Sequence, residues 1–286
     1  MKNVVIGGTG TVGSLVVNEL LARKEEVRVV TRSAEKAKAL PAGVEGVVAD
    51  LTDPTTLDAV FANAQHVFMA NPVGMTETHE GLLAVNFAKA HNVKRFVYLS
   101  VHHMDQAVHI PHFGSKLPIE TALKSVGLTH TILRPNNFYQ NDAWMKDALT
   151  QYGVYGMPIG DIGCSRVDAR DIAELAVLAM THNGHENKTY NVVGPQLWNG
   201  AATAEIWGSK LGKKVSYVGN DLDAWEKSAA SMMPAFMVYD MKIMFRFFQE
   251  KGLKGTDADL SLLTKLLGHA PRSFGDFVNE TVQAWK

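Results

Sequence analysis

A closely spaced set of glycines near the start of the chain most constrains the fold. The segment 7–13 (GGTGTVG) follows an apolar run of strand length and opens a helical pattern over residues 11–23. Gly7 permits a sharp turn, Gly10 lets the backbone approach a pyrophosphate, and Gly13 allows the helix to pack closely on a sheet. The helix N-terminus then presents free N–H groups to the phosphates. The segment therefore predicts a dinucleotide-binding turn.

Apolar runs alternate with helical patterns along the first two-thirds of the chain, as in a parallel sheet covered on both faces. The predicted strands are 2–6, 26–31, 45–49, 66–70, 95–100, 129–134 and 188–193, and the predicted helices between them are 11–23, 54–62, 76–91, 113–126 and 168–182. Further helices are predicted over 201–212, 221–231, 234–250, 257–267 and 274–285. We expect an α/β fold with a Rossmann-type doubly wound parallel sheet in domain 1–194, which contributes part of the substrate site. A smaller, mostly helical substrate or lid domain is expected over 195–286.

Composition excludes several classes of protein. Of 286 residues, 46% are apolar, which is enough for a sizeable core. The 28 basic and 29 acidic residues form no basic stripe, so a nucleic-acid partner is not expected. The single cysteine, Cys164, excludes an intramolecular disulfide and a multi-cysteine zinc site. Because no membrane span or signal-peptide pattern is visible, we expect a cytoplasmic protein without membrane contact.

The residues after the second predicted strand indicate which dinucleotide is bound. An NAD site usually has an acidic residue about 20 residues beyond the glycines, whereas an arginine suits the 2′-phosphate of NADP. Here Arg32 lies 19 residues after Gly13, and Ser33 adds a hydroxyl. We expect NADP(H) to be favoured over NAD(H), unless Arg32 is only a solvated surface charge. Asp50, after the third strand, either faces the adenine ring or caps the next turn.

Several segments together resemble the NmrA-like group of atypical short-chain dehydrogenases/reductases. They are the GGTGTVG turn, Arg32, Ala49-Asp50, Tyr98-Leu99-Ser100, residues 133–138 (LRPNNF) and residues 267–274 (LGHAPRSF). This resemblance covers essentially the whole chain and implies a Rossmann domain followed by a small helical domain. The group includes NADPH-dependent reductases of quinones and triphenylmethane dyes, and also redox sensors that bind the dinucleotide without turnover. Fold and cofactor follow from such a resemblance more securely than activity does.

The resemblance also implies catalytic residues. Catalytic short-chain dehydrogenases use a Ser, a Tyr that protonates the carbonyl oxygen, and a Lys that holds the nicotinamide ribose. Ser100 and Lys116 match the serine and lysine positions, but His112 occupies the tyrosine position four residues before Lys116. We expect Lys116 to contact the cofactor. His112 either donates a proton near neutral pH or only caps and packs at the start of its helix.

The expected cofactor contacts lie in the glycine turn, at the carboxyl ends of the strands and at the lysine position. They are Gly7, Thr9, Gly10, Thr11, Val12, Gly13, Arg32, Ser33, Asp50, Leu51, Asn71, Pro72, Ser100, Lys116, Pro135, Asn136 and Phe138. An asparagine amide of segment 136–138 is expected to bind the nicotinamide carboxamide. Tyr139 and Trp144 either stack on an aromatic substrate or pack in the core. No metal is expected, because the histidines of loop 101–112 lack carboxylate or cysteine partners at a suitable spacing.

These residues favour an NADPH-dependent oxidoreductase that passes hydride to a planar apolar small molecule, such as a quinone or a dye, with Lys116 and His112 as catalytic residues. Such an acceptor spreads the incoming negative charge itself, which makes the missing tyrosine tolerable. The alternative is a dinucleotide-sensing regulator whose closed or open state is recognised by a protein partner. A nucleotide-sugar epimerase or dehydratase is weakened by the missing tyrosine. The Met- and Phe-rich segment 232–250 is either an ordinary packing helix or an adaptable wall or lid over the substrate.

Overall fold

The computed structural model describes residues 2–286. The strands are β1 (Lys2–Ile6), β2 (Glu26–Thr31), β3 (Val44–Val48), β4 (Ala64–Met69), β5 (Arg95–Leu99), β6 (His130–Pro135), β7 (Val154–Tyr155), β8 (Lys188–Val192) and β9 (Ser216–Tyr217). The α-helices are α1 (Thr11–Ala22), α2 (Ala34–Lys38), α3 (Leu57–Phe61), α4 (Glu77–Ala90), α5 (Pro111–Gly114), α6 (Lys116–Ser125), α7 (Ala169–Thr181), α8 (Gly200–Leu211), α9 (Leu222–Ala229), α10 (Ala235–Lys251), α11 (Asp257–Leu267) and α12 (Phe274–Trp285).

The described chain divides into two compact units. Unit 1 contains residues 2–135 and Ala169–Tyr190, and unit 2 contains Asn136–Asp168 and Asn191–Lys286. These limits differ from the predicted domains 1–194 and 195–286, because residues 136–168 group with the second unit. The division into functional domains at residue 194 stays a prediction.

Seven strands form one sheet in the order β3-β2-β1-β4-β5-β6-β8. The pairings from β3 through β6 are all parallel, which requires a crossover connection between successive strands. The strand order reverses direction between β1 and β4. In open parallel sheets, ligands bind outside the carboxyl ends of the strands at such a switch point. The predicted fold class, an α/β fold with a doubly wound parallel sheet, is confirmed.

Helices cover both faces of this sheet. On one face, apolar side chains of the strands pack with those of α3, α4 and α6; the cluster includes Ile6, Val67, Phe96 and Tyr98 from strands and Val60, Val85, Ile119 and Leu123 from helices. On the other face, α1 packs against α7. The strands are therefore buried on both sides, which explains why their sequences are continuous runs of apolar residues. Removal of this apolar surface from water is the main term that stabilises the unit.

Unit 2 is mostly helical and has an aromatic core. Trp207 of α8 stacks on Trp285 of α12 with ring centroids 5.1 Å apart, and Phe274 lies 4.9 Å from Tyr139. The parallel strands β7 and β9 add a small two-stranded sheet. The sequence did not predict these strands, because two residues are too few to show a periodic pattern.

One predicted helix is interrupted directly before Lys116. The sequence predicted a single helix over 113–126, whereas the structure contains α5 and α6 with Ser115 between them. Pro118 has no N–H group to donate to the carbonyl of Gly114, so the ladder of helical hydrogen bonds breaks there. Lys116 consequently begins a helix of its own. Within residues 2–286, no helix has the length and apolar character needed to cross a membrane.

Candidate functional site

The glycine turn connects β1 to α1 at the switch point of the sheet. Gly7 has a φ of +81°, a backbone conformation that favours glycine, and a Cβ there would overlap the carbonyl oxygen of Ala70. A Cβ on Gly13 would overlap the carbonyl oxygen of Gly7. The N–H of Gly10 donates to that same oxygen at 2.9 Å. The turn is thus folded tightly on itself and against the end of β4.

The N-terminus of α1 is left open to a ligand. Its N-cap residue is Gly10, no side chain caps the helix, and the first turn carries no acidic residue. Thr9 and Thr11 are exposed beside it, whereas Val12 is buried. The N–H groups of a first helical turn have no intrahelical partner, and with the helix dipole they attract an anion. This geometry fits the phosphates of a dinucleotide.

Arg32 and Ser33 follow β2 at the same edge of the sheet. Arg32 is exposed, and its guanidinium has no hydrogen-bond or ion-pair partner among residues 2–286. Its donors are therefore available to an added phosphate. Ser33 is the N-cap of α2, where its hydroxyl accepts from the N–H of Lys36 at 3.2 Å. That contact leaves the hydroxyl hydrogen of Ser33 uncommitted.

Asp50 follows β3, and its side chain closes a local turn. Its Oδ1 accepts from the backbone N–H of Thr52 at 2.8 Å and from the Thr52 hydroxyl at 2.7 Å. These two hydrogen bonds lower the pKa of Asp50, with a smaller contribution from the charge of Arg32. Leu51 is half-buried against the apolar cluster of unit 1. The structure thus shows the capping role of Asp50, while its contact with an adenine ring stays a prediction.

Asn71 follows β4, next to the glycine turn. Its Nδ2 is 3.5 Å from Oε2 of Glu80, but its Oδ1 is buried and has no hydrogen-bond partner among the described residues. Buried polar atoms without a partner are rare in folded proteins, and each calls for an explanation. A donor group on a bound cofactor would satisfy this oxygen. Pro72, next along the chain, is exposed.

Ser100 follows β5 and is hydrogen-bonded to a buried carboxylate. Its hydroxyl donates to Oε1 of Glu120 at 2.6 Å. Arg134 holds the same carboxylate at 2.9 Å and 2.7 Å and also pairs with Asp105. Burial alone would raise the pKa of Glu120, but the hydrogen bonds from Arg134 and Ser100 outweigh it and leave that pKa lowered. Because Glu120 is therefore ionised, it keeps the hydroxyl hydrogen of Ser100 engaged.

Lys116 is paired with a second buried carboxylate. Its Nζ donates to Oε1 of Glu77, and the two side chains are 9% and 0% exposed. An ammonium group has three N–H donors, and Lys116 has no other partner within residues 2–286. Two donors are therefore left for a ligand. Two neighbouring hydroxyls, as on a ribose, fit this arrangement.

His112 and the histidine-rich loop have no metal-binding arrangement. His112 is half-buried in α5, with its ring edge-on to Phe113 at 4.7 Å. His102 is buried and stacks on His103 at 4.0 Å, while His109 is exposed. Residues 2–286 contain no group of His, Cys, Asp and Glu side chains that could hold a metal ion. Proton donation by His112 stays a prediction.

Two predicted cofactor residues belong to unit 2. Pro135 ends β6 in unit 1, whereas Asn136 and Phe138 begin unit 2. The Asn136 side chain donates to the carbonyl of Leu253 at 2.7 Å and accepts from the N–H of Asn137 at 2.9 Å. Its amide therefore holds its own loop in place. The contact between an asparagine of this segment and the nicotinamide stays a prediction.

The aromatic candidates of unit 2 have different surroundings. Tyr139 is fully buried between Phe274 and Phe277, so core packing accounts for it. Trp144 is 84% exposed and packs in no core. In segment 232–250, the C-terminal half is buried through residues such as Phe245 and Phe248, whereas Met232, Phe236 and Tyr239 are exposed. Its role as a wall or lid over the substrate stays a prediction.

Sequence reasoning did not identify Glu77 or Glu120 as part of this region, and it quoted Tyr98 only as part of the resemblance, without a role in the site. Each glutamate occupies a position on the buried face of its helix, where a periodic pattern calls for an apolar residue. That mismatch is the signal that could have found them. Tyr98 is buried, and its hydroxyl has no partner among the described residues. Burial, together with the charges of Glu77 and Glu120, raises the pKa of Tyr98 well above its ordinary value, so the phenol stays neutral.

Comparison with known proteins assigns the family. The model of the NmrA-like family matches residues 2–278. The chain belongs to this family. NAD(P)H azoreductase of Xenophilus azovorans is 32% identical over 286 residues, which cover 99% of this chain and 98% of that protein. The resemblance inferred from the sequence motifs is thereby confirmed.

Solved structures of two further enzymes share the fold. NADPH-dependent quinone oxidoreductase from Escherichia coli, crystallised with NADPH, has a TM-score of 0.87 at 22% identity and covers 98% of this chain and 99% of its own. Citrobacter triphenylmethane reductase has a TM-score of 0.86 at 24% identity and covers 99% of this chain and 100% of its own. At these identities the likeness establishes the architecture of this NmrA-like protein.

Proposed function

We propose that this NmrA-like protein is an NADPH-dependent oxidoreductase that passes hydride to a planar, apolar acceptor of the quinone, azo or triphenylmethane class. The observation that carries the proposal is the set of unpartnered polar groups at the carboxyl edge of unit 1. The N-terminus of α1, Arg32, Asn71 and Lys116 each have free hydrogen-bonding capacity there. The azoreductase relative supports a nicotinamide cofactor.

Arg32 supports NADPH over NADH. NADPH differs from NADH by a phosphate on the adenosine ribose, and an unpaired guanidinium can bind that group through two charge-assisted hydrogen bonds. In the segment that follows β2, Thr31-Arg32-Ser33, no carboxylate is present to bind a ribose hydroxyl instead. The bound cofactor supplies the hydride, while the protein binds and orients it.

The state of Ser100 supports an acceptor that stabilises negative charge by itself. Its hydroxyl hydrogen is engaged by Glu120, so it is not available to polarise a substrate carbonyl. His112 replaces the tyrosine that protonates such a carbonyl in the enzymes that this sequence resembles. A simple ketone depends on donors of this kind when its oxygen becomes anionic. Quinones and extended dyes delocalise the incoming charge over conjugated atoms.

A titration of purified protein with NADPH, NADP⁺, NADH and NAD⁺ by calorimetry tests the cofactor. We expect the phosphorylated pair to bind more tightly. Arg32→Ala should weaken NADPH binding about ten- to a hundredfold, because charge-assisted hydrogen bonds are lost, and should leave NADH binding unchanged. Arg23→Ala is the matched control, since it removes the same charge from the end of α1.

An acceptor screen then tests the reaction. NADPH oxidation is followed with a quinone, an azo dye, a triphenylmethane dye and a simple ketone. We expect turnover with conjugated acceptors and none with the ketone. Failure of all four nucleotides to bind would overturn the proposal completely. Tight NADPH binding with no consumption by any acceptor would instead favour the regulatory alternative.

A further inference from the structure

The first turn of α4 places a fully buried carboxylate against the start of α6. Oε1 of Glu77 accepts from Nζ of Lys116, and Oε2 accepts from the hydroxyl of Ser115 at 2.9 Å. Two consecutive residues therefore converge on one carboxylate. A buried carboxylate is costly unless it is paired and hydrogen-bonded, and here both of its oxygens have a partner. Glu77 is thus held by hydrogen bonds to Ser115 and Lys116, at the start of α6.

Close packing of the two helices makes this contact possible. A Cβ on Gly81, one turn after Glu77, would overlap the side chain of Ile119, so α4 approaches α6 more closely than an alanine would allow. Thr78 adds a further hydrogen bond between the two helices, because its hydroxyl donates to the carbonyl of Ser115 at 2.8 Å. The start of α4 is therefore held against the junction between α5 and α6.

The pairing uses only part of the capacity of Lys116. One of the three ammonium donors points to Glu77, while two remain without a partner on a side chain that keeps 9% exposure. A lysine side chain has four rotatable bonds and loses much conformational entropy when it is fixed. When one N–H of the ammonium group is fixed by a hydrogen bond, the directions of the other two N–H groups are restricted. The hydrogen bond to Glu77 has this effect on Lys116.

We propose that Glu77 is the positioning residue of Lys116: it fixes the ammonium group in place, so that the two free donors meet the hydroxyls of the nicotinamide ribose. This inference rests on the proposed function, because it requires that Lys116 binds the cofactor. Glu77 itself contacts no ligand and acts only through Lys116. Its removal should therefore affect the nicotinamide half of the cofactor and spare the adenosine half.

The test compares two ligands by calorimetry: NADPH, and adenosine 2′,5′-bisphosphate, which keeps the adenine and the phosphate of NADPH but lacks the nicotinamide ribose. Glu77→Gln and Lys116→Met should each weaken NADPH binding by about tenfold, the loss expected for hydrogen bonds to a charged group. Both variants should bind adenosine 2′,5′-bisphosphate as tightly as the unmodified protein. The double variant should bind NADPH no more weakly than Lys116→Met alone, because the two residues act as one unit.

Two further variants exclude a merely structural effect. Glu77→Asp keeps the charge and should recover part of the lost NADPH affinity. Asp58→Asn, which removes a carboxylate from the exposed surface of α3, should bind both ligands normally. Equal weakening of both ligands in Glu77→Gln, or additive losses in the double variant, would overturn the positioning role. If the unmodified protein binds adenosine 2′,5′-bisphosphate but not NADPH, or binds neither ligand, the proposed function itself fails.

Discussion

Each unit of this protein contains a buried ion pair, and the two pairs differ in how much of their hydrogen-bonding capacity is used. In unit 2, Arg166 pairs with Asp142, and both side chains are fully buried. The Arg166 guanidinium donates to both oxygens of Asp142, to the side chain of Asn137 and to the carbonyl of Phe138. In unit 1, Lys116 uses one donor on Glu77 and keeps two unused.

The partners of Asp142 complete the contrast. Trp207 donates its indole N–H to Oδ2 of Asp142 at 2.8 Å, and the ring of Phe274 lies 4.9 Å from the Arg166 guanidinium carbon. Every donor of this arginine is committed within unit 2, so the pair organises the core and has nothing to offer a ligand. Burial of a charge by itself therefore does not mark a binding site. The proposed cofactor contact of Lys116 rests instead on hydrogen-bonding capacity that the protein leaves unused beside a buried charge.

Breaking the saturated pair should give the largest effect on stability. Asp142→Asn keeps the shape of the side chain but leaves the charge of Arg166 buried without a counter-ion. Removal of one partner from such a pair costs about 3–5 kcal/mol in the free energy of unfolding. Urea denaturation measures this loss. Asp147→Asn, an exposed position of the same segment, is the control, and equal stability of the two variants would contradict the structural role of the pair.

The sequence predicted the sheet well because local pattern and global fold agree there. Each predicted strand from 2–6 to 188–193 corresponds to an observed strand with bounds shifted by at most a residue or two. The glycine turn was equally predictable, because Gly7 and Gly13 are required by backbone contacts within a few residues and with the adjacent strand. Short elements without a periodic pattern, such as α2 and β7, were missed for the opposite reason.

The hydrogen-bond partners of the site residues could not be predicted from the sequence. Lys116 was identified by its spacing from position 112, but its counter-ion lies 39 residues away on another helix. Nothing in the local sequence joins Glu77 to Lys116, since only the packing of α4 on α6 brings them together. The motif likewise placed Ser100 at the catalytic position without showing that its hydroxyl hydrogen is engaged by Glu120. Motifs locate reactive groups, and tertiary contacts decide their state.

Removal of a single hydroxyl beside each ion pair tests the same difference between the two pairs, with a smaller expected loss of stability. Ser115→Ala leaves Oε2 of the buried Glu77 without a partner, and an unsatisfied buried acceptor costs about 1–3 kcal/mol. Tyr155→Phe removes a hydroxyl whose two contacts with the saturated pair, one to Asp142 and one from Arg166, are both long at 3.4 Å, so the loss should be at most about 1 kcal/mol. Urea denaturation of both variants ranks them. The reverse order would mean that the pair in unit 1 is the better satisfied of the two.

The one cysteine, Cys164, lies beside the saturated pair of unit 2. Cys164 is buried, and burial raises the pKa of its thiol from 9.0 to about 12, although the charge of Arg166 opposes the shift. Because the folded state holds the neutral thiol, folding stability should decline as the pH rises from 9.0 towards about 12.

At pH 8, iodoacetamide should label Cys164 only through rare openings of unit 2, and labelling should be complete in urea. Asp142→Asn should speed labelling of the folded protein, since it raises the population of the open state, whereas Asp147→Asn should not. Rapid labelling of the unmodified protein would show that the core around Arg166 is more open than its fully committed hydrogen bonds require.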